Sequence, residues 1–559
     1  MKRALSLGID FGSGSARAVL VDARDGSVAG VGVSPYASGR DGVVVSADDP
    51  HLARQRPQDY VASLRDAVRG ALAEASGRGF GPDDVRGIGV DTTGSTPIPV
   101  DRRNVPLAFH DEFRDELAAL AWMWKDHTAH AEAAEICARI RALGRPYLST
   151  CGGVYSSEWY WAKILRCERA FPRVAAAAWS WVEFCDWIPA YLCGLDDPAT
   201  APRGICAAGH KALYHPSWGG LPDAEFLDAL APGLSRFRAR YRTPASAADE
   251  RAGGLAPLIA AELGLRPGTP VAVGAFDAHL GAVGAGVGPG TLVKIIGTAC
   301  CDCTVAPLAQ PLGEIPGVCG IVPGSILPGH HGIEAGQSAV GDLFNWFVSQ
   351  FGRPGETQAE THRRFTRESA GDRPGRSGLL ALDWHNGNRC VLVDPRLSGL
   401  VLGQTLATTP AEIYRSLIEA TAFGARVIVE RMEDHGVAVE RVVCCGGIAE
   451  KNAMLMQIYA DVLRRPLAVS RSDQTCALGS AILGAVVGGV HRDVPAAQAA
   501  MTGVRAETYS PRPAAAAVYD ELYALYRRLH DAFGVGGPTE LGDVMKKLLA
   551  IADRAREAS

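Results

Sequence analysis

Apolar and small polar positions alternate in blocks over residues 4–22: Leu5, Leu7 and Ile9 precede the turn Gly12-Ser13-Gly14-Ser15, and Ala18 to Val21 follow it. Strand, small-residue turn, strand predicts a β-hairpin, with Asp10 at the mouth of its first arm. The pattern returns at residues 87–101, with Asp91 before Thr92-Thr93-Gly94-Ser95, and at residues 292–305, where Gly297-Thr298 takes the turn. Three copies, the last opening the second half, predict duplicated halves facing one another across a cleft.

Between the copies, other periods appear. Residues 22–50 read as continuation of an antiparallel sheet. Tyr60, Leu64, Val68 and Leu72 recur at helical spacing over residues 57–75. Residues 154–166 read as a capped helix with a buried aromatic face, and 204–222 as a polar loop carrying Lys211. Residues 271–280 read as strand, tight turn and helix, with Asp277 near the helix start. Five glycines and a proline between Gly281 and Gly290 suggest a hinge or boundary. Residues 332–338 are read as opening an amphipathic helix, 352–378 as an exposed excursion, 441–452 as a strand delivering Gly446-Gly447 to a helix, and 513–559 as helical.

At 559 residues the chain exceeds one core. The expected division is 1–284 and 285–559. Net charge −5 and pI near 6.3 give no footprint for nucleic acid or an anionic membrane. No run of 18 apolar residues predicts a transmembrane helix, and fourteen dispersed cysteines read as reduced thiols of a cytoplasmic protein. Cys300-Cys301-Asp302-Cys303 lies in an apolar strand pattern without a second ligand pair. It reads as buried thiols, and His330-His331 as loop. Only eight of the 56 basic residues are lysines. In an arginine-rich chain an internal lysine marks a place suited to a compact point charge, or is a scattered remnant.

The Gly12–Ser15 turn can gather backbone N–H groups into an anion nest, and Asp10 suits a Mg²⁺ held through water. No Gly-Lys-Ser/Thr follows, so it is not a P-loop. Asp277 is a candidate general base or a helix N-cap, and the aromatic cluster 122–127 is core or site.

Taken together, Gly8-Ile9-Asp10-Phe11-Gly12, Trp124-Lys125-Asp126-His127-Thr128, Gly153 to Trp159, Gly209-His210-Lys211-Ala212, Gly274 to His279 and Gly446-Gly447 resemble the FGGY carbohydrate kinase family. The likeness extends over almost the whole chain, and within the family it is to the members acting on L-ribulose. It implies an α/β fold of two ribonuclease-H-like domains of the actin and sugar-kinase type. The first would bind sugar and the second nucleotide. It implies ATP and Mg²⁺, a small-molecule ketopentose partner, and a homodimer. Phosphorylation of L-ribulose to L-ribulose 5-phosphate in L-arabinose catabolism is the expected activity. D-ribulose or xylulose kinases are the alternatives, then an actin- or chaperone-like ATPase or a non-catalytic sugar sensor. By motif, Asp277 matches the family's catalytic base and Asp10 its metal motif. Gly12, Ser13, Ser15, Arg17, Gly297, Thr298, Gln337, Gly446, Gly447 and Asn452 match nucleotide contacts. Ser95, Lys211 and Glu334, with Asp277, fall where the ketose is held. The Phe-Gly-Gly-Tyr motif that names the family is absent as such.

Overall fold

The computed structural model describes residues 4–371, 373–535 and 541. Two seven-stranded sheets organise it. In the first, Val28–Pro35, Ser15–Asp22 and Leu5–Phe11 form an antiparallel meander. Val85–Thr92 joins Leu5–Phe11 in parallel, followed by Pro270–Ala272 and, antiparallel, Arg251–Gly254. Ala275–Phe276 also pairs with Val85–Thr92. The second sheet repeats this plan. His330–Gln337, Cys300–Pro307 and Gly290–Ile296 are antiparallel, and Val439–Cys445 and Leu467–Ser470 continue in parallel. Gly320–Pro323 and Val504–Tyr509 are its edges. A helix, Pro57–Gly77 in one case and Pro410–Asp434 in the other, precedes the first parallel partner, as a crossover requires.

The second half's helix Thr475–Val487 lies on the first sheet. It approaches so closely that backbone meets backbone at two glycines. A Cβ at Gly8 would meet the Ala477 carbonyl oxygen at 1.8 Å, and one at Gly89 the Ser480 oxygen at 1.9 Å. Ser6 Oγ donates to the Ala481 carbonyl at 2.6 Å across the same contact. Val19, Val21, Leu280, Val293, Val443 and Ile482 belong to one apolar cluster here, so the two halves share buried surface.

Several sequence expectations are corrected. Residues 87–101 are no hairpin: Pro97–Val100 leaves the sheet and pairs with Ser180–Glu183. Pro97 and Pro99 lack the N–H a central strand needs, so a two-stranded ribbon suits them. The helix expected from 154 starts at Tyr160. Residues 204–222 are not simply loop, because Ile205–Lys211 is a helix buried at every position, leaving no amphipathic pattern to read. Residues 332–338 do not open a helix. Strand partners on both sides hold His330–Gln337 extended, including His330-His331, and the helix begins at Gly341. The glycine-rich stretch begins inside helix Asp277–Gly284, where a Cβ at Gly284 would meet the Thr475 oxygen at 2.0 Å. Glycine there permits close helix packing. The 352–378 excursion contains helix Gln358–Ser369, whose Phe365 is buried in the core. Pro513–His530 is helical as expected, and most of the stretch beyond it lies outside the described residues.

Candidate active site

Register brings three carboxyl groups to one end of the first sheet. Asp10 pairs with Asp91, Asp91 with Ala275, and Thr92 with Phe276, so Asp277 follows directly at the start of its helix. Neighbours in register on parallel strands point to the same face. Asp91 Oδ2 accepts from Ser480 Oγ at 2.5 Å, while its buried Oδ1 has no hydrogen-bond partner. Arg17 Nη1 stands 3.8 Å from Asp10 Oδ2. Burial raises the Asp10 carboxyl, opposed by Asp91 and Arg17. Burial and the neighbouring Asp10 raise Asp91 far more. Asp277 is pushed up to about 7, by burial first and then by Asp10, against the Ala278 N–H that donates to its Oδ1 at 2.7 Å. Like charges crowded in a low-dielectric place act in this way.

The Gly12–Ser15 turn is tied from behind. Gly12 N donates to the Ser15 carbonyl at 3.0 Å, Gln55 Nε2 to that of Ser13 at 2.8 Å, and Trp124 Nε1 to Ser13 Oγ at 3.3 Å. Within the 122–127 cluster, Trp122 and Asp126 are buried, Asp126 against Arg54, whereas Lys125 is exposed. Ser95 is buried too. Its Oγ donates to Glu183 Oε1 at 2.9 Å, and its carbonyl accepts from Lys163 Nζ at 2.7 Å.

A second cluster adjoins Asp277. Helix Ile205–Lys211 supplies Lys211, whose Nζ donates to Glu334 Oε1 at 3.1 Å and Oε2 at 3.0 Å from strand His330–Gln337. Arg389 Nη2 donates to Oε1 at 3.0 Å. His279 Nε2 and His210 Nδ1 approach Oε2 to 3.3 and 3.6 Å. The Lys211 ammonium also lies 5.1 Å from the Trp159 ring centroid and 5.8 Å from that of Phe276. Burial works against an ionised Glu334, but Lys211, His279 and Arg389 together hold it well below the usual range. Burial likewise opposes the Lys211 charge, and Glu334 more than restores it. Among the described residues, His210, His279 and Glu334 are the one trio whose ligand atoms could share a metal. Lys211 and Arg389 already bond that carboxylate, and a His279 ring raised to about 10 keeps the proton on its nitrogens, so the trio does not suit a metal ion.

The second sheet presents two loops. Gly297 and Thr298 are exposed at the turn after Gly290–Ile296, and their carbonyls accept from Gly341 N at 3.0 Å and Val340 N at 3.0 Å. Gly446 has φ +94°, and a Cβ there would meet the Ile296 oxygen at 2.5 Å. Gly447 opens helix Gly447–Lys451 and is exposed. Ser480, near the start of helix Thr475–Val487, reaches Asp91, so the carboxyl row lies against the beginning of that helix. Two expected nucleotide contacts have other partners. Gln337 is buried, its Nε2 donating to Asp383 Oδ2 at 2.8 Å and the Thr421 carbonyl at 2.9 Å. Asn452 Oδ1 caps the next helix, accepting from Leu455 N at 3.0 Å.

The structure therefore gathers Asp10, Arg17, Asp277, Lys211 and Glu334, and adds four residues that sequence reasoning left unassigned. Asp91 occupies the position of Asp10 in the repeated motif. His210 and His279 each stand within two residues of a candidate. Arg389 lies outside every motif read from the sequence and carried no signal.

The sequence profile of the FGGY family of carbohydrate kinases, C-terminal domain, matches residues 292–487. A ribulokinase of Vibrio parahaemolyticus is 41% identical over 545 residues, 94% of this chain and 95% of that protein. A ribulokinase of Mycolicibacterium smegmatis is 42% identical, over 95% of this chain and 94% of that one. A xylulose kinase from Rhodospirillum rubrum superposes with TM-score 0.77 at 24% identity, covering 95% of this chain and 99% of the other. Plasmodium falciparum glycerol kinase with ADP gives 0.73 at 14%, covering 94% and 98%.

Proposed function

The chain belongs to the FGGY family of carbohydrate kinases, and from that premise we propose that it transfers the γ-phosphoryl group of ATP to a ketopentose, converting L-ribulose to L-ribulose 5-phosphate. The observation that carries the reading is Asp277. A carboxyl held at about 7 stands beside the buried Lys211–Glu334 pair. A base with a pKa near the working pH accepts a hydroxyl proton with best effect, and a charged pair suits a polyhydroxylated substrate. Relatives at about 40% identity that carry the name ribulokinase support ribulose over xylulose, and the choice of the L isomer rests on the resemblance of the sequence motifs.

Phosphoryl transfer asks for alignment and charge neutralisation. In this reading, Lys211 and Glu334 grip the sugar oxygens and Ser95, fixed by Glu183 and Lys163, shapes the wall. Asp277 takes the proton of the primary hydroxyl as it attacks. Gly12, Ser13, Ser15 and Arg17 face the phosphates from the first sheet, and Gly297, Thr298, Gly446 and Gly447 approach the nucleotide from the second. Gln337 and Asn452 would complete the nucleotide contacts. The residues fit Mg²⁺: Asp10 is half-buried beside Asp91, whose Oδ1 is unpartnered, and oxygen-only donors suit a hard cation. Asp10 would hold the ion, which when bound neutralises phosphate charge. Residues 1–284 would form the sugar-binding part and 285–559 the nucleotide-binding part of a cytoplasmic homodimer.

A coupled ADP-release assay across L-ribulose, D-ribulose, D-xylulose and their pentitols tests this. Highest kcat/KM with L-ribulose is expected. ADP release indifferent to every ketose would overturn the kinase assignment, and preference for another pentulose the choice of substrate.

A further inference from the structure

His279 is a buried ring that the phosphoryl-transfer reading leaves without a task. It joins three elements. On one side, Nδ1 lies 2.7 Å from Cys206 Sγ, on helix Ile205–Lys211. The same sulfur accepts from the backbone N–H of Phe276 at 3.5 Å, the residue immediately before Asp277. On the other side, Nε2 lies 3.3 Å from Glu334 Oε2. That contact is close in distance but short of hydrogen-bond alignment, so Nε2 is left without a hydrogen-bonded partner. The ring has 1% exposure, and the His210 ring beside it has its centroid 4.6 Å away.

We propose that His279 is a positioning residue that ties the sugar-gripping carboxylate of Glu334 to the backbone carrying Asp277, through Cys206. The inference rests on the kinase reading above. Its chemistry is a chain of hydrogen bonds: Nε2–H toward Glu334, Nδ1–H toward the Cys206 sulfur, and the Phe276 N–H onto the same sulfur. A neutral ring can accept the Cys206 S–H at Nδ1 while donating from Nε2, but only a protonated ring donates at both nitrogens. The surroundings favour that state. Burial opposes the charge, but Cys206 and Glu334 outweigh it and carry the His279 ring up to about 10, while burial and the His279 charge keep His210 neutral. A small rotation of the Glu334 carboxylate, when a ketose engages Lys211, brings Nε2 into line. Binding sugar and orienting the base then become linked events.

Glutamine and asparagine separate the two sides of the ring. In His279→Gln the side-chain amide reaches about as far as Nε2, whereas in His279→Asn the shorter amide stands in for Nδ1. With the full chain and L-ribulose as the varied substrate, His279→Asn is expected to raise the L-ribulose KM about tenfold while the ATP KM stays within about twofold. His279→Gln is expected to keep the L-ribulose KM within about threefold and to lower kcat about tenfold. Cys206→Ala should resemble His279→Gln, and Cys206→Ser, which restores a polar partner, should recover most of kcat. Equal effects of the two His279 variants on KM and kcat would overturn the proposal. If neither His279 variant folds, the Cys206 pair decides it: equal loss in Ala and Ser overturns it, recovery in Ser supports it. Wild-type protein that releases no ADP with any ketopentose overturns the underlying kinase reading, and the positioning role falls with it.

Discussion

In the proposed role of base, Asp277 would trade stability for reactivity. Its raised pKa means the folded protein disfavours the ionised form that a base requires. Asp277→Asn is expected to keep the fold and ATP binding while kcat falls about 10²–10⁴-fold; near-normal kcat in the folded variant would remove the assignment. Wild-type kcat/KM for the ketose should rise with pH and level off above about 7. The same group makes a stability prediction. Between its ordinary value of 3.8 and about 7, the folded state binds more protons than the unfolded one, so wild type loses stability as pH rises. Asp277→Asn should gain on wild type through that window and hold a constant advantage above it, as urea titrations at several pH values would read. Lys211 is the second case. The scarcity of lysine pointed to it, and Lys163, Lys211 and Lys294 prove to be buried, each bonded to carbonyls or a carboxylate. A guanidinium is wider and longer than the ammonium that reaches both Glu334 oxygens, and Arg389 and His279 already share that carboxylate, so the swap would crowd the site. Lys211→Arg is expected to lower ketose kcat/KM roughly 10- to 150-fold with ATP affinity unchanged; ketose kinetics within twofold would count against a sugar contact.

At the scale of elements, what the sequence revealed were the strands whose period and turn chemistry are local. The hairpins Leu5–Phe11 with Ser15–Asp22 and Gly290–Ile296 with Cys300–Pro307 were legible because each arm alternates around a small-residue turn. Helix Ile205–Lys211 and strand His330–Gln337 were not, since one is buried all round and the other takes its state from two partners distant in sequence. These two elements carry Lys211 and Glu334. The candidate site residues were thus proposed through family motifs, while their setting could not be read. Close packing of Thr475–Val487 on the first sheet was equally hidden, being written only in the absence of side chains at Gly8 and Gly89. It has a testable cost. Gly8→Ala places a methyl within 1.8 Å of a backbone oxygen, which no side-chain rotation relieves. Overpacking of this kind costs about 1–3 kcal/mol or more. Gly77→Ala, at the end of a helix with nothing within 4 Å, should be neutral or stabilise by up to about 1 kcal/mol. Thermal denaturation of the two variants should move in opposite directions; a harmless Gly8→Ala would refute the close approach.

Across the whole molecule, the two halves meet in a buried apolar layer and in a knot of charge, and the two respond differently to pH. The layer of Val19, Leu280, Val293 and Ile482 carries no carboxylate or amine, and burial keeps its thiols Cys303 and Cys445 protonated. The knot centres on Glu334, a residue of the second half enclosed by Lys211 and His279 from the first and by Arg389. Removing its charge leaves buried cations uncompensated, a loss of about 3–5 kcal/mol when a buried pair is broken on one side. Glu334 has a folded pKa well below its ordinary 4.5, so its contribution is fully present above the unfolded value and disappears as pH falls through the folded one. The sign is opposite to that of Asp277, although the two carboxyl groups are close enough for one to act on the other. Glu334→Gln is therefore expected to be much less stable than wild type at pH 7, and the gap should narrow steadily on acidification below 4.5. Urea denaturation of both proteins from pH 3 to pH 8 measures it. A gap that stays constant into the acid range would mean that Glu334 joins the halves by shape and not by charge.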